Sequence, residues 1–169
     1  HGTITGLGGR ELRDRVRELA LGLSALGLAR GDRMAIVSES RPEWLHVDLA
    51  AQTLGVVDAP IYPSLSASQT EYILRDCSAR LAVVSSREQL EKVREVAGRL
   101  PLLQTVVVID DGWTTNAADT FATFSLDDVR RTTVHLQVRG PDGPAAEDER
   151  PQRLSHTATR RFLFAGTYC

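Results

Sequence analysis

Apolar positions along the first three-quarters of the chain alternate between two repeats. Leu12, Val16, Leu19, Ala20, Leu23 and Leu26 recur at helical spacing and predict one amphipathic helix. Gly27 stands where a left-handed residue ends such a helix. Met34-Ala35-Ile36-Val37 is a short, wholly apolar run, the pattern of a strand covered on both faces. Ser40 and Glu43 have capping-box spacing, with Pro42 suited to a first turn, and predict a helix through Trp44, Leu45, Val47, Leu49 and Ala50 to Gly55. Val56 to Ile61 reads as the next strand, weakened by Pro60. Ser66 and Gln69 open a helix through Tyr72, Ile73, Leu74 and Cys77, and Leu81-Ala82-Val83-Val84 forms a strand after it. Ser86 caps a fourth helix, which buries Leu90, Val93, Val96, Ala97 and Leu100 and ends at Pro101. Val106-Val107-Val108-Ile109 is the fourth strand, and Ser125 to Val129 reads as one more helical turn. Strand and helix in turn predict an α/β fold, with a parallel sheet of about four strands and flanking helices.

The pattern changes after Arg131. Residues 1–131 carry 15 basic and 18 acidic side chains, whereas 132–169 carry 5 and 4. Val134-His135-Leu136-Gln137-Val138 alternates like a short strand. Gly140 to Pro144 is turn material, and Phe162-Leu163-Phe164 is an isolated apolar patch. The chain divides into a folded part, 1–131, and an irregular, weakly ordered tail, 132–169.

Composition excludes several classes. A net charge of −2 over 169 residues gives no electrostatic footprint for nucleic acid. No apolar run reaches the ~18 residues a membrane helix needs, and no signal peptide is visible, so the expected location is the cytoplasm. Two cysteines, Cys77 and Cys169, cannot frame a disulfide scaffold. His1, His46, His135 and His156 lack metal-ligand spacing, so no metal site is expected and His46 reads as a surface or half-buried imidazole.

The remaining candidates are weak. Gly6-Leu7-Gly8-Gly9 precedes a helix, but Glu11 stands where a dinucleotide loop needs its third glycine. Glu39, Asp110 and Asp111 follow predicted strands, where acids could hold Mg²⁺ or a hydroxyl, or simply solvate turns. Cys77 reads as a small core residue, and Trp44 and Tyr62 as packing residues. Lys92 reads as an exposed partner of Glu88 or Glu95. No position qualifies as a catalytic residue, and no cofactor-binding residue is assigned.

Taken together, residues from Glu11 to about Asp111 resemble the N-terminal region of the AMP-forming acyl-CoA synthetases. The resemblance is carried by Gly31-Asp32-Arg33-Met34-Ala35-Ile36-Val37-Ser38-Glu39-Ser40-Arg41-Pro42-Glu43-Trp44 and by Ala59-Pro60-Ile61-Tyr62-Pro63-Ser64-Leu65-Ser66. Arg-Pro-Glu-Trp and Tyr-Pro-x-Leu-Ser are its most specific elements and point toward the long-chain fatty-acid branch. Ser40 stands where asparagine is common. The resemblance implies ATP, Mg²⁺ and coenzyme A as cofactors and a fatty acid as substrate. The family's Thr-Ser-Gly-Thr-Thr-Gly-x-Pro-Lys-Gly phosphate loop has no counterpart here, Phe164-Ala165-Gly166-Thr167 being a faint echo.

These observations predict a ligase fragment, truncated or shifted out of frame after about Arg131. It is expected to be inactive alone, to bind none of those cofactors tightly and to pack against the rest of the ligase. The other readings are a stand-alone α/β nucleotide-binding module using Glu39, Asp110 and Asp111, a receiver-like domain without its late lysine, and a regulatory partner of a ligase.

Overall fold

The computed structural model describes residues 8–137, with side chains for 8–132. Gly6, Leu7, the turn at Gly140 to Pro144 and the Phe162-Leu163-Phe164 patch lie outside the described residues. The elements in order are α1 (Gly9–Ala25), β1 (Arg33–Val37), α2 (Pro42–Leu54), β2 (Val57–Ile61), α3 (Ala67–Asp76), β3 (Leu81–Val84), α4 (Arg87–Val96), β4 (Thr105–Val108), β5 (Ala122–Ser125) and α5 (Leu126–Gln137). A short 3₁₀ turn, Ala97–Arg99, follows α4.

All five strands are parallel, in the order β2-β1-β3-β4-β5. The wholly apolar runs take the central places: β1, β3 and β4 are buried along nearly their whole length. Pro60 is accommodated because β2 is an edge strand, where a missing N–H breaks no ladder on the open side. Chain order reverses at β1: β2 lies to one side of it, β3 to the other. The covering helices change face at the same point, as uniform crossover handedness requires. Helices α1, α2 and α5 pack over Met34, Ile36, Leu81, Val83 and Val107. Helices α3 and α4 pack over Ala35, Val37, Ala82, Val84, Val106 and Val108. The alternation of one strand's side chains between two cores makes the sheet a double-sided wall.

Several local expectations change. The helix predicted from Ser40 starts two residues later. Pro42 forces its predecessor into the extended region, so Arg41 (φ −147°, ψ 160°) becomes the N-cap and Ser40 falls outside the helix. Glu43 then pairs with Arg41 instead of closing a box. The box at Ser66 and Gln69 does form, with both reciprocal bonds. Ser86 is the N-cap of α4, but its side chain makes no capping bond.

The fourth strand is not the last. The segment after Ile109 crosses the sheet without a helix and returns as β5, four half-buried residues on the second edge. The segment 134–138, read as a strand, is instead helical through Gln137, with Val138 outside the described residues. A cap at Ser125 starts this longer helix: Asp128 N–H donates to Ser125 Oγ (3.0 Å), and Ser125 Oγ donates to Asp128 Oδ2 (2.7 Å). Helix α5 therefore runs across the 131/132 boundary drawn from composition.

The edge at β2 carries two carboxyl groups in conflict. Burial, with the charge of Asp48 on α2 adding to it, raises the Asp58 carboxyl above its ordinary value. Asp48 is held in place by two hydrogen bonds from Gln52 Nε2, both 3.0 Å. A raised carboxyl pKa penalises the fold once pH exceeds the unfolded value, and the penalty fades as pH falls below the folded one. Asp58→Asn should therefore stabilise the protein at pH 7, by at most about 1 kcal/mol in a partly open site. Urea melts at pH 7 and pH 4 check this: the gain should shrink at the lower pH, and a constant gain would remove Asp58 ionisation as its cause.

Candidate functional site

In a parallel sheet, ligand sites form beyond the carboxyl ends of the strands where strand order reverses. Here that place lies between β1 and β3, at Ser38-Glu39 and Ser85. Ser85 is fully buried, and its hydroxyl faces the Glu39 carboxyl. Ser38 Oγ donates to the Glu39 carbonyl (2.9 Å) and to Glu39 Oε2 (3.3 Å). The Glu39 carboxyl is held below its usual range, first by its own backbone N–H and then by neighbouring serine hydroxyls and Arg41.

Beside this crevice the three predicted acids part company. Asp110 accepts from Arg41 Nη1 at 2.8 Å, while Arg41 Nε donates to Glu43 Oε2 at 2.8 Å. Arg41 thus ties the start of α2 to the end of β4. Burial alone would raise Glu43, but the Arg41 bond, the residue's own backbone N–H and the nearby positive charge together leave the carboxyl lowered. Glu39 turns back on Ser38, and Asp111 is exposed. No group of three or more His, Cys, Asp or Glu side chains among the described residues is arranged to hold a metal ion.

A cleft of about 140 Å³ opens on the same side of the sheet, between the ends of α1, α2 and α5. It is lined by Arg15, Arg41, Glu43, His46, Asp111 and Arg130, among others. Small-molecule sites of nucleotide size are usually ~300 Å³ or larger, so this cleft is too small for ATP. Its guanidinium groups already have partners: Arg15 binds Glu11 at 2.7 Å, and Arg130 binds Glu18 at 3.3 Å. His46 is more deeply placed than expected. Rather than lying at the surface it is 4% exposed, and burial together with Arg15 lowers its pKa. The sequence signal for this was available: Val47, Ala50 and Ala51 mark the buried side of α2, and His46 lies beside them.

The other candidates stay structural. Cys77 is half-buried at the C-terminal end of α3, and burial pushes its thiol up, away from nucleophile chemistry. Trp44 packs against the core, whereas Tyr62 projects from the end of β2 and is 78% exposed. Lys92 is not exposed as expected. It pairs with Glu88 (3.3 Å) but also donates to the Pro63 carbonyl at 2.7 Å, tying α4 to the loop after β2. Gly8 and Gly9 do no more than begin α1, and the Gly8 carbonyl accepts from Leu12 N–H at 3.0 Å. No described helix is long and apolar enough to cross a membrane.

Comparison with known proteins supplies the context. The sequence model of the AMP-binding enzyme family matches residues 4–157, past the compositional boundary at Arg131. A long-chain-fatty-acid–CoA ligase of Mycobacterium bovis, FadD15, is 35% identical over 134 residues, covering 78% of this chain and 22% of that protein. The rat long-chain-fatty-acid–CoA ligase ACSBG1 is 34% identical over 95 residues, 56% of this chain and 13% of that protein. Among solved structures, the anthranilate CoA ligase AuaEII in complex with anthranoyl-AMP superposes with a TM-score of 0.65 at 28% identity, over 73% of this chain and 22% of that one. The adenylation domain of a carboxylate reductase from Mycobacterium chelonae shares the fold (TM-score 0.67, 23% identity), over 76% of this chain and 22% of that one. The chain spans about a fifth of the length of the Mycobacterium bovis relative. With a family match over most of its length and a parallel sheet of the same build, the chain belongs to the AMP-binding enzyme family.

Proposed function

We propose that this chain is the scaffold portion of an ATP-dependent fatty acid–CoA ligase and does not adenylate an acid by itself. In the complete reaction a carboxylic acid and ATP give an acyl-adenylate and pyrophosphate, and the acyl group then passes to the thiol of coenzyme A. The observation that carries this reading is the match to long-chain-fatty-acid–CoA ligases over 78% of the chain, joined to strand ends whose acids are already engaged or exposed.

The residues present do not fit Mg²⁺–ATP. Phosphate binding needs a run of backbone N–H groups in a Gly-rich loop and a cation at the developing charge. The loops after β1, β3 and β4 read Ser38-Glu39-Ser40, Ser85-Ser86 and Ile109-Asp110-Asp111-Gly112, with two acids beside Arg41. No reaction step is therefore assigned to a residue here. The residues supply the sheet, its double-sided core and faces against which further ligase segments would pack, in the cytoplasm. Val57, Tyr62 and Tyr72 are among the scaffold's exposed large apolar side chains.

The test is acid-dependent exchange of labelled pyrophosphate into ATP, with Mg²⁺ and a panel of fatty acids. No exchange above the protein-free rate is expected. Exchange that depends on a fatty acid would overturn the scaffold reading. Saturable nucleotide binding without exchange would favour a non-catalytic binding module at the β1–β3 crevice, beside the buried Ser85.

A further inference from the structure

Among the described residues of the face built by α1, α2 and α5, His46 is a buried ionisable group that its ion pairs leave out. His46 is 4% exposed and lines the cleft between the three helices, and no hydrogen bond to its imidazole occurs among the described residues. Charged groups reach it from every side. Helix α1 presents Arg15 and Glu11, with Glu18 further along, and α2 presents Arg41 and Glu43. The segment after β4 brings Asp111 to the mouth of the cleft, and α5 brings Asp127 and Arg130. Each of these arginines is held by a carboxylate: Arg15 by Glu11 (2.7 Å), Arg41 by Glu43 (2.8 Å), Arg130 by Glu18 (3.3 Å) and Asp127 (3.6 Å). A proton added to His46 is therefore a cation in a confined space, beside Arg15 and Arg130, whose charges both oppose it.

Helix α1 is the element most exposed to this. It lies in contact with both α2 and α5, and its buried residues Leu19, Ala20 and Leu23 seat it on the sheet. We propose that His46 makes the docking of α1 acid-sensitive: the neutral ring lets α1 close over α2 and α5, and a proton on the ring releases it. Burial and Arg15 favour the neutral ring, while Glu43 and Glu11 oppose them without prevailing. The sign follows from that. Docking is at full strength above the unfolded histidine value of about 6.5 and weakens as pH falls below it, by up to about tenfold per pH unit.

Amide hydrogen exchange between pH 7.5 and 5.5, corrected for the intrinsic rate, reads this directly. Protection of the Leu19 and Leu23 amides should fall at the acid end while β3 and β4 keep theirs, and in His46→Phe the α1 protection should no longer depend on pH. Three results overturn the proposal: α1 protection that ignores pH, the same fall in His46→Phe, or an equal loss across β3 and β4. If His46→Phe fails to fold, His46→Gln serves as the non-titrating variant. The imidazole titration followed by NMR in the unaltered chain is a second reading. Its midpoint should lie below about 6.5, and a midpoint at or above that value overturns the proposal.

Discussion

Gly22→Ala is expected to destabilise the protein by about 2–3 kcal/mol, the cost of overpacking a tight interface. Helix propensity alone predicts the opposite sign, because alanine is favoured over glycine in a helix interior by about 1 kcal/mol. The reversal comes from contact with α5. A Cβ at Gly22 would collide with the Val129 carbonyl oxygen and stand 2.7 Å from Val129 Cγ1. A carbonyl inside a helix cannot rotate aside, so α5 would have to move off α1. Gly98→Ala is the control, since nothing lies within 4 Å of its would-be Cβ. Urea melts of both variants decide the matter. A stabilised Gly22→Ala would mean that α1 and α5 do not meet as described.

The second large effect is expected at the helix-free crossover from β4 to β5. Arg94 on α4 is 12% exposed and Asp119 8%, and they are bound through Nε (3.0 Å) and Nη2 (2.8 Å). The same Nη2 donates to the Thr114 carbonyl at 2.7 Å, so one guanidinium holds two points of the crossing segment. Asp119→Ala leaves that guanidinium buried with only Glu91, half-exposed, as an ionic partner at 2.9 Å. Removing one charged partner from this part-buried pair should cost about 1.5–3 kcal/mol, the range of hydrogen bonds to charged groups. Chemical denaturation should show a loss in that range, and hydrogen exchange should show β5 losing protection before β1 or β3. An Arg94→Leu/Asp119→Leu double variant should recover part of the loss, because the uncompensated charge is gone. An Asp119→Ala protein with unchanged stability would remove this pair as the anchor of β5.

Much of the architecture was legible because the central strands are extreme in composition. Met34-Ala35-Ile36-Val37 and Val106-Val107-Val108 leave no polar face, and only the middle of a two-sided sheet accepts that. Strand β5 escaped because an edge strand of four residues, Ala122-Thr123-Phe124-Ser125, buries too little to show a pattern. Helix α5 was misread because Val134, Leu136 and Val138 fall two apart, while the signal that mattered was the Ser125–Asp128 cap upstream. Ser40 misled for a similar reason: the spacing to Glu43 was right, but Pro42 dictates the backbone before it. At the strand ends, sequence located Glu39, Asp110 and Asp111 but could not reveal that Arg41 would claim Asp110 across 69 residues. The burial of His46 and of Ser85 is likewise a product of packing, not of local pattern.

Calorimetric titration of the protein with Mg²⁺–ATP asks whether these residues, proposed as ligase scaffold, hold a triphosphate site. No saturable heat is expected into the millimolar range, with or without a fatty acid. A one-to-one isotherm, abolished by excess AMP, would contradict the scaffold reading.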